Sequence, residues 1–169
     1  IAVQSSLTCH LVLSTVHTND AIGAVTRLRD MGVEPFLLAS TLRVIVAQRL
    51  VRRLCPSCRK PEPADAATAA LIGVPEGSTI YRAQGCGTCN NTGYQGRIGL
   101  YELVRIDETM RKLIAANADE TELTAHAFRN PEAARTLTQT ARDYVQTGVT
   151  TVEEAVRVIR QEASPDADV

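Results

Sequence analysis

Four cysteines stand in two pairs of one pattern, Cys55-Pro56-Ser57-Cys58 and Cys86-Gly87-Thr88-Cys89, with 27 residues (59–85) between the pairs. A two-residue gap lets one tight turn aim both sulfurs of a pair at the same point. Two such turns supply the four soft ligands that zinc takes at tetrahedral corners. Pro56 and Gly87 bring the turn chemistry. The spacing therefore predicts a structural Zn²⁺ held by Cys55, Cys58, Cys86 and Cys89. Four thiolates leave no open position for water, so the ion would fold and present a small module rather than catalyse. Two other chemistries compete. A Cys-Pro-x-Cys redox dithiol needs its first cysteine at the start of a helix. Here Arg59-Lys60-Pro61-Glu62-Pro63 follows, and a residue ahead of proline is pushed out of helical conformation. Disulfides belong to oxidising compartments, and the sequence has no apolar leader and no run long enough to span a membrane. Zinc in a reducing, cytosolic protein is the expected arrangement.

The elements that must position such a site can be read from periodicity. Residues 11–15, Leu-Val-Leu-Ser-Thr, form an apolar run that turns polar at its end, the pattern of a central parallel-sheet strand. His17-Thr18-Asn19-Asp20 then supplies a turn and an N-cap. Ala21, Ala24, Val25 and Leu28 follow at helical spacing, with a stop at Gly32. A strand feeding a helix is half of a βαβ unit, and ligands gather beyond the C-terminal ends of such strands. Thr15, His17, Thr18 and Asn19 sit at that edge. Glu34-Pro35 opens a second helix expected to run to about Gln48, and Leu50, Val51 and Leu54 lead as an extended piece into the first cysteine pair. Between the pairs, Ala64 to Ile72 reads as a helix closed by Gly73, and Thr79 to Arg82 as a strand. Gly93 to Arg97 reads as a turn and Ile98 to Val104 as a strand. Asp107 and Asp119 each cap a helix, a third helix covers about 132–146, and Thr150-Thr151-Val152-Glu153 is a capping box for the last. The expected class is α/β, divided into a core portion 1–54, a tetracysteine module 55–104, a helical subdomain 105–162 and a disordered tail 163–169.

Composition narrows the function classes. Net charge is −1, with 44% apolar and 22% charged residues, as in an ordinary soluble globular protein. There is no Trp, with two Phe and four Tyr, so a base-stacking platform for single-stranded nucleic acid is not expected. Six basic residues and no acidic one lie between Arg43 and Lys60, whereas the stretch from Asp107 onward is acidic. Pairing of this basic stripe with the acidic part, or with a neighbouring subunit, is preferred to nucleic-acid binding. A phosphate loop needs a lysine followed by Ser or Thr, but Lys60 precedes Pro61 and Lys112 precedes Leu113. The chain holds no complete catalytic constellation. It starts at Ile1 and runs almost at once into the apolar strand, so it reads as a portion of a longer protein.

Four stretches in order carry a resemblance to a known family. Leu7-Thr8-Cys9-His10 through Thr15-Val16-His17-Thr18-Asn19-Asp20-Ala21 resembles the histidine box of secretion and type IV pilus ATPases. Ala47-Gln48-Arg49-Leu50 through Cys58 is similar to the approach to that family's tetracysteine module. Gly93-Tyr94-Gln95-Gly96-Arg97-Ile98-Gly99-Leu100-Tyr101-Glu102-Leu103 resembles the segment after it, and Gly148 to Glu154 the C-terminal helix. The type II secretion ATPases (general secretory pathway protein E) match best and the pilus-extension ATPases next. Retraction ATPases, which usually lack the cysteines, match less well. The resemblance implies part of a RecA-like P-loop NTPase core with an inserted zinc module and a helical bundle. It implies a homohexameric cytoplasmic motor, peripheral to the bacterial inner membrane and bound to inner-membrane secretion components. ATP and Mg²⁺ would drive pseudopilus assembly, through a phosphate loop and acidic motif that lie outside this chain. Nucleic-acid partners and direct membrane insertion are not implied. His17, and equally either as sensor or as structural residue His10, would sense nucleotide, with Thr15, Thr18 and Asn19 nearby. Cys9 replaces a usual Gly, Ser5-Ser6 a small apolar pair and Thr140-Ala141 a frequent Asp-Gly. Cys9 reads as a small buried residue and His126 as a surface one. A zinc-ribbon module that binds protein or nucleic acid without hydrolysis is the alternative of another class; such a ribbon has no need of residues 7–21.

Overall fold

The computed structural model describes residues 2–8, 10–130 and 134–163. In chain order the elements are α1 (Ala2–Leu7), α2 (Gly23–Asp30), α3 (Pro35–Thr41), β1 (Val44–Leu54), β2 (Lys60–Pro63), α4 (Ala66–Ile72) and β3 (Thr79–Arg82). A 3-10 turn (Gly87–Cys89), β4 (Tyr94–Arg105), α5 (Glu108–Ala115), α6 (Glu120–Ala127), α7 (Leu137–Gln146) and α8 (Val152–Ala163) follow. Strand β1 pairs with β4. Strand β2 pairs antiparallel with β3, Pro61 opposite Tyr81. Prolines survive in β2 because a two-stranded ribbon leaves one edge of each strand free of ladder bonds. Two compact units divide the chain, Ile1–Ala47 with Glu102–Arg135 and Gln48–Tyr101 with Thr136–Val169.

In the first unit the apolar face of α2 is buried as its spacing predicts, with Ala21 and Val25 fully enclosed. The Asp20 carboxylate accepts from Gly23 N at 2.6 Å in the turn that leads into the helix. At the other end Gly32 takes φ +82°, and Val33 N reaches back to Leu28 O. Ile22, Leu38, Ile106, Met110, Ile114 and Leu123 form the centre of one apolar cluster. Asp107 accepts from Met110 N (2.7 Å) and Asp119 from Glu122 N (2.9 Å), the two caps that the sequence implies. Arg29 donates to Ala118 O, beyond the end of α5, at 2.8 Å and to Ile114 O at 3.3 Å.

Several elements depart from the sequence pattern. Residues 11–15 form no strand, and Leu11 and Leu13 are 87% and 89% exposed. A central strand exists only through its ladder partners, and no described segment pairs with this one. The helix expected to reach Gln48 ends at Thr41. The Ser40 and Thr41 hydroxyls bond back to Leu37 O, Leu42 turns extended, and β-branched Val44, Ile45 and Val46 enter β1. The third late helix starts at Leu137, capped reciprocally by Thr136 and Gln139. The last helix is capped by Thr151, whose hydroxyl accepts from Glu154 N at 3.4 Å, one residue later than the sequence box. Cys9 and the tail from residue 164 lie outside the described residues.

In the second unit α7 packs on α8, α4 on α8, and both α7 and α8 on β3. Val51, Leu54, Ile72, Leu100, Leu137, Ala141, Val145 and Ala155 are buried there.

Candidate metal centre

Strand β1 delivers Cys55 directly from its end. Cys55 N donates to Gly93 O at 3.0 Å, which lays the first cysteine loop against the second. Cys58 N and Arg59 N both return to Cys55 O (3.3 and 3.0 Å), closing the tight turn that the two-residue gap calls for. The second loop is a 3-10 turn in which Cys89 N and Asn91 N reach Cys86 O. Asn90 and Asn91 then adopt left-handed backbone (φ +52° and +60°), which asparagine tolerates better than most residues. Gly93 follows at φ +78°, and a Cβ there would meet Ala83 Cβ at 2.5 Å. Only glycine fits.

These turns bring all four sulfurs within 4.8 Å of one another. Cys55 and Cys86 Sγ stand 4.0 Å apart, Cys58 and Cys89 3.8 Å, Cys86 and Cys89 3.8 Å. A tetrahedral centre with metal–sulfur bonds of about 2.3 Å places its sulfurs about 3.8 Å apart, whereas a disulfide needs about 2.05 Å. The thiols are free, and their spacing suits a tetrahedral metal shell rather than a pair of bridges. Cys55, Cys58 and Cys89 are buried and Cys86 is half-buried. The donor set is compatible with zinc.

Backbone amides complete the site. Cys86 N and Gly93 N donate to Cys89 Sγ at 3.3 and 3.2 Å. Burial opposes ionisation of Cys89, but these N–H groups and the neighbouring thiols outweigh it and bring the thiol down to about 6. Cys86 also lies below its ordinary value: burial opposes this, and the Cys89 and Thr88 amides prevail. Burial pushes Cys58 the other way, up to about 11, with one amide from Gly85 in partial compensation. Four thiolates at this spacing repel one another, so full ionisation requires a cation among them.

The residues of the histidine box lie in the first unit. His10, Thr15 and His17 are exposed on the irregular segment 10–18, while Thr18 and Asn19 are half-buried. His10 Nδ1 lies 3.1 Å from Thr8 Oγ1, and Thr18 Oγ1 donates to Asp20 O. His126 is not a surface residue: its ring is nearly enclosed and Nε2 meets both Asp107 oxygens at 2.9 and 3.0 Å. Glu102, buried in β4, accepts from Ala21 N at 2.9 Å. Its signal was available, since it shares the inward face of its strand with Leu100 and Val104.

A closed cluster of four cysteine sulfurs that could hold one metal ion, carried on a mixed α/β chain, defines the class of protein. The type II/IV secretion system protein family matches residues 1–157, and the chain belongs to that family. Type II secretion system protein E of Pseudomonas aeruginosa is 55% identical over 164 residues, 96% of this chain and 32% of that protein. Type II secretion system ATPase E of Vibrio cholerae serotype O1 is 47% identical over 163 residues, 95% of this chain and 32% of that protein. The chain thus spans about a third of the length of the curated relatives it matches. The crystal structure of the pilus retraction motor PilT with bound ADP aligns at a TM-score of 0.57 and 22% identity, covering 98% of this chain and 36% of that one. That likeness shows the fold alone. Among the described residues no helix is long and apolar enough to cross a membrane.

Proposed function

We propose that this chain is a portion of a type II secretion ATPase, a homohexameric cytoplasmic motor peripheral to the inner membrane. ATP hydrolysis with Mg²⁺ in the whole protein powers pseudopilus assembly and protein export. The observation that carries this reading is 55% identity to a type II secretion protein E over nearly the whole chain, with all four cysteines converged on one point. Zn²⁺ held by Cys55, Cys58, Cys86 and Cys89 is structural, because four sulfurs close its coordination shell. His17, with His10, Thr15, Thr18 and Asn19 around it, reads the nucleotide in the assembled motor. Phosphoryl transfer depends on positioning and charge, so an imidazole serves there by hydrogen bonding, without making a covalent bond.

The experiment is complementation. The full-length protein is returned to a strain lacking its own copy, and export is compared with pilus formation. Restored export with pili unaffected is expected; restored pili with export still absent would assign the chain to pilus assembly instead. The purified fragment, lacking a phosphate loop, should show no ATP turnover.

A further inference from the structure

The corner between α7 and α8, residues 147–154, is fastened to the first cysteine loop from both sides of Cys55. Ahead of the cysteine, Leu54 N donates to Val149 O at 2.8 Å. Thr150 Oγ1 donates to Arg52 O at 2.8 Å, and Arg52 N donates to Glu154 Oε2 at 2.8 Å. Beyond Cys58, the Arg59 guanidinium donates from one nitrogen to Thr147 O and Gly148 O. Those carbonyls lie where α7 ends: Gly148 N and Val149 N return to Val145 O and Tyr144 O, with Gly148 at φ +68°. Arg59 is held in turn by the Tyr81 ring, 5.0 Å away. There is no slack, since a Cβ on Gly148 would meet the Tyr81 ring at 2.7 Å and Arg59 Nη1 at 2.8 Å.

We infer that Arg59 is a positioning residue that couples metal occupancy in the cysteine loops to the α7–α8 corner. Arg59 follows a ligand by one residue, so the ion that fixes Cys58 also fixes the base of the arginine. The guanidinium then carries that constraint to two carbonyls of the corner through charge-assisted bonds. Loss of the metal frees the loop backbone, and the corner loses the Arg59 anchor with it, keeping only its bonds to Arg52 and Leu54. The inference rests on the zinc reading of the cysteines.

The test is amide hydrogen exchange on the zinc-loaded full-length protein, with zinc per chain measured in every sample. Chelation of the wild-type protein should accelerate exchange in 55–59 and 86–93 and also in 147–154, by roughly tenfold or more in the corner. Arg59→Met should keep one zinc per chain and protected cysteine loops, yet accelerate the corner alike. Two results would overturn the coupling while leaving the metal in place: a corner that stays protected after chelation, or an Arg59→Met corner as protected as wild type. Absence of zinc before chelation would sink the metal reading and the coupling together. The chelation arm needs no variant, so a poorly folding Arg59→Met does not shelter the inference.

Discussion

Glu154 shows how one carboxylate can serve three partners. It accepts from Arg52 N, forms a 2.9 Å ion pair with the Arg52 guanidinium and meets Arg157 at 3.1 Å, while itself almost enclosed. Arg52 also lies 4.0 Å over the Tyr94 ring. Part of the basic stripe is thereby answered from the acidic part of the chain, as the charge distribution suggested. Burial works against ionisation of Glu154, but the Arg52 amide, its guanidinium and Arg157 prevail and hold the carboxyl below its usual range. A depressed carboxyl stabilises the folded state above its unfolded pKa and loses that contribution as pH falls through the folded value. Glu154→Gln should therefore cost about 1–3 kcal/mol at pH 7. The gap to wild type should shrink as pH falls below about 4, in denaturant unfolding across pH. A gap that stays constant down to pH 3 would contradict the charge argument.

At the scale of elements, stability in the first unit comes from helices closing on one apolar cluster. Ile114 on α5 is fully buried within it. Ile114→Ala should cost about 2–5 kcal/mol in unfolding free energy, and leave zinc content untouched, because the cavity opens outside the unit that holds the four cysteines. The local signals at this scale were legible: Asp107 and Asp119 cap where their positions said, Gly32 and Gly73 stop helices, and Thr79–Arg82 is a strand. Each depends on a few adjacent residues. Residues 11–15 and 42–48 were misread because their outcome depends on distant partners. An apolar run becomes a strand only when another strand meets it, and Val44 to Gln48 fits helix and strand alike until β4 pairs with it. His126 was missed for the same reason, since its partner is 19 residues away, whereas the inward place of Glu102 on β4 was legible and only its partner, 81 residues away, was not.

For the whole molecule, the cysteine site was the most legible feature, because spacing within each pair fixes local geometry and two matched pairs fix the ligand count. What spacing could not supply was the setting: the amides on Cys89, the glycine against Ala83, and the arginine that ties the loop to the α7–α8 corner. The divided chain carries its four-cysteine cluster in the unit built from 48–101 and 136–169. Its membership of the type II/IV secretion system protein family follows from kinship across nearly every residue. The most direct check is metal analysis of freshly prepared, reduced protein, joined to X-ray absorption at the zinc edge. One zinc per chain with four sulfur neighbours at about 2.3 Å is the expected result. Substoichiometric metal, or a shell with fewer than four sulfurs, would contradict it.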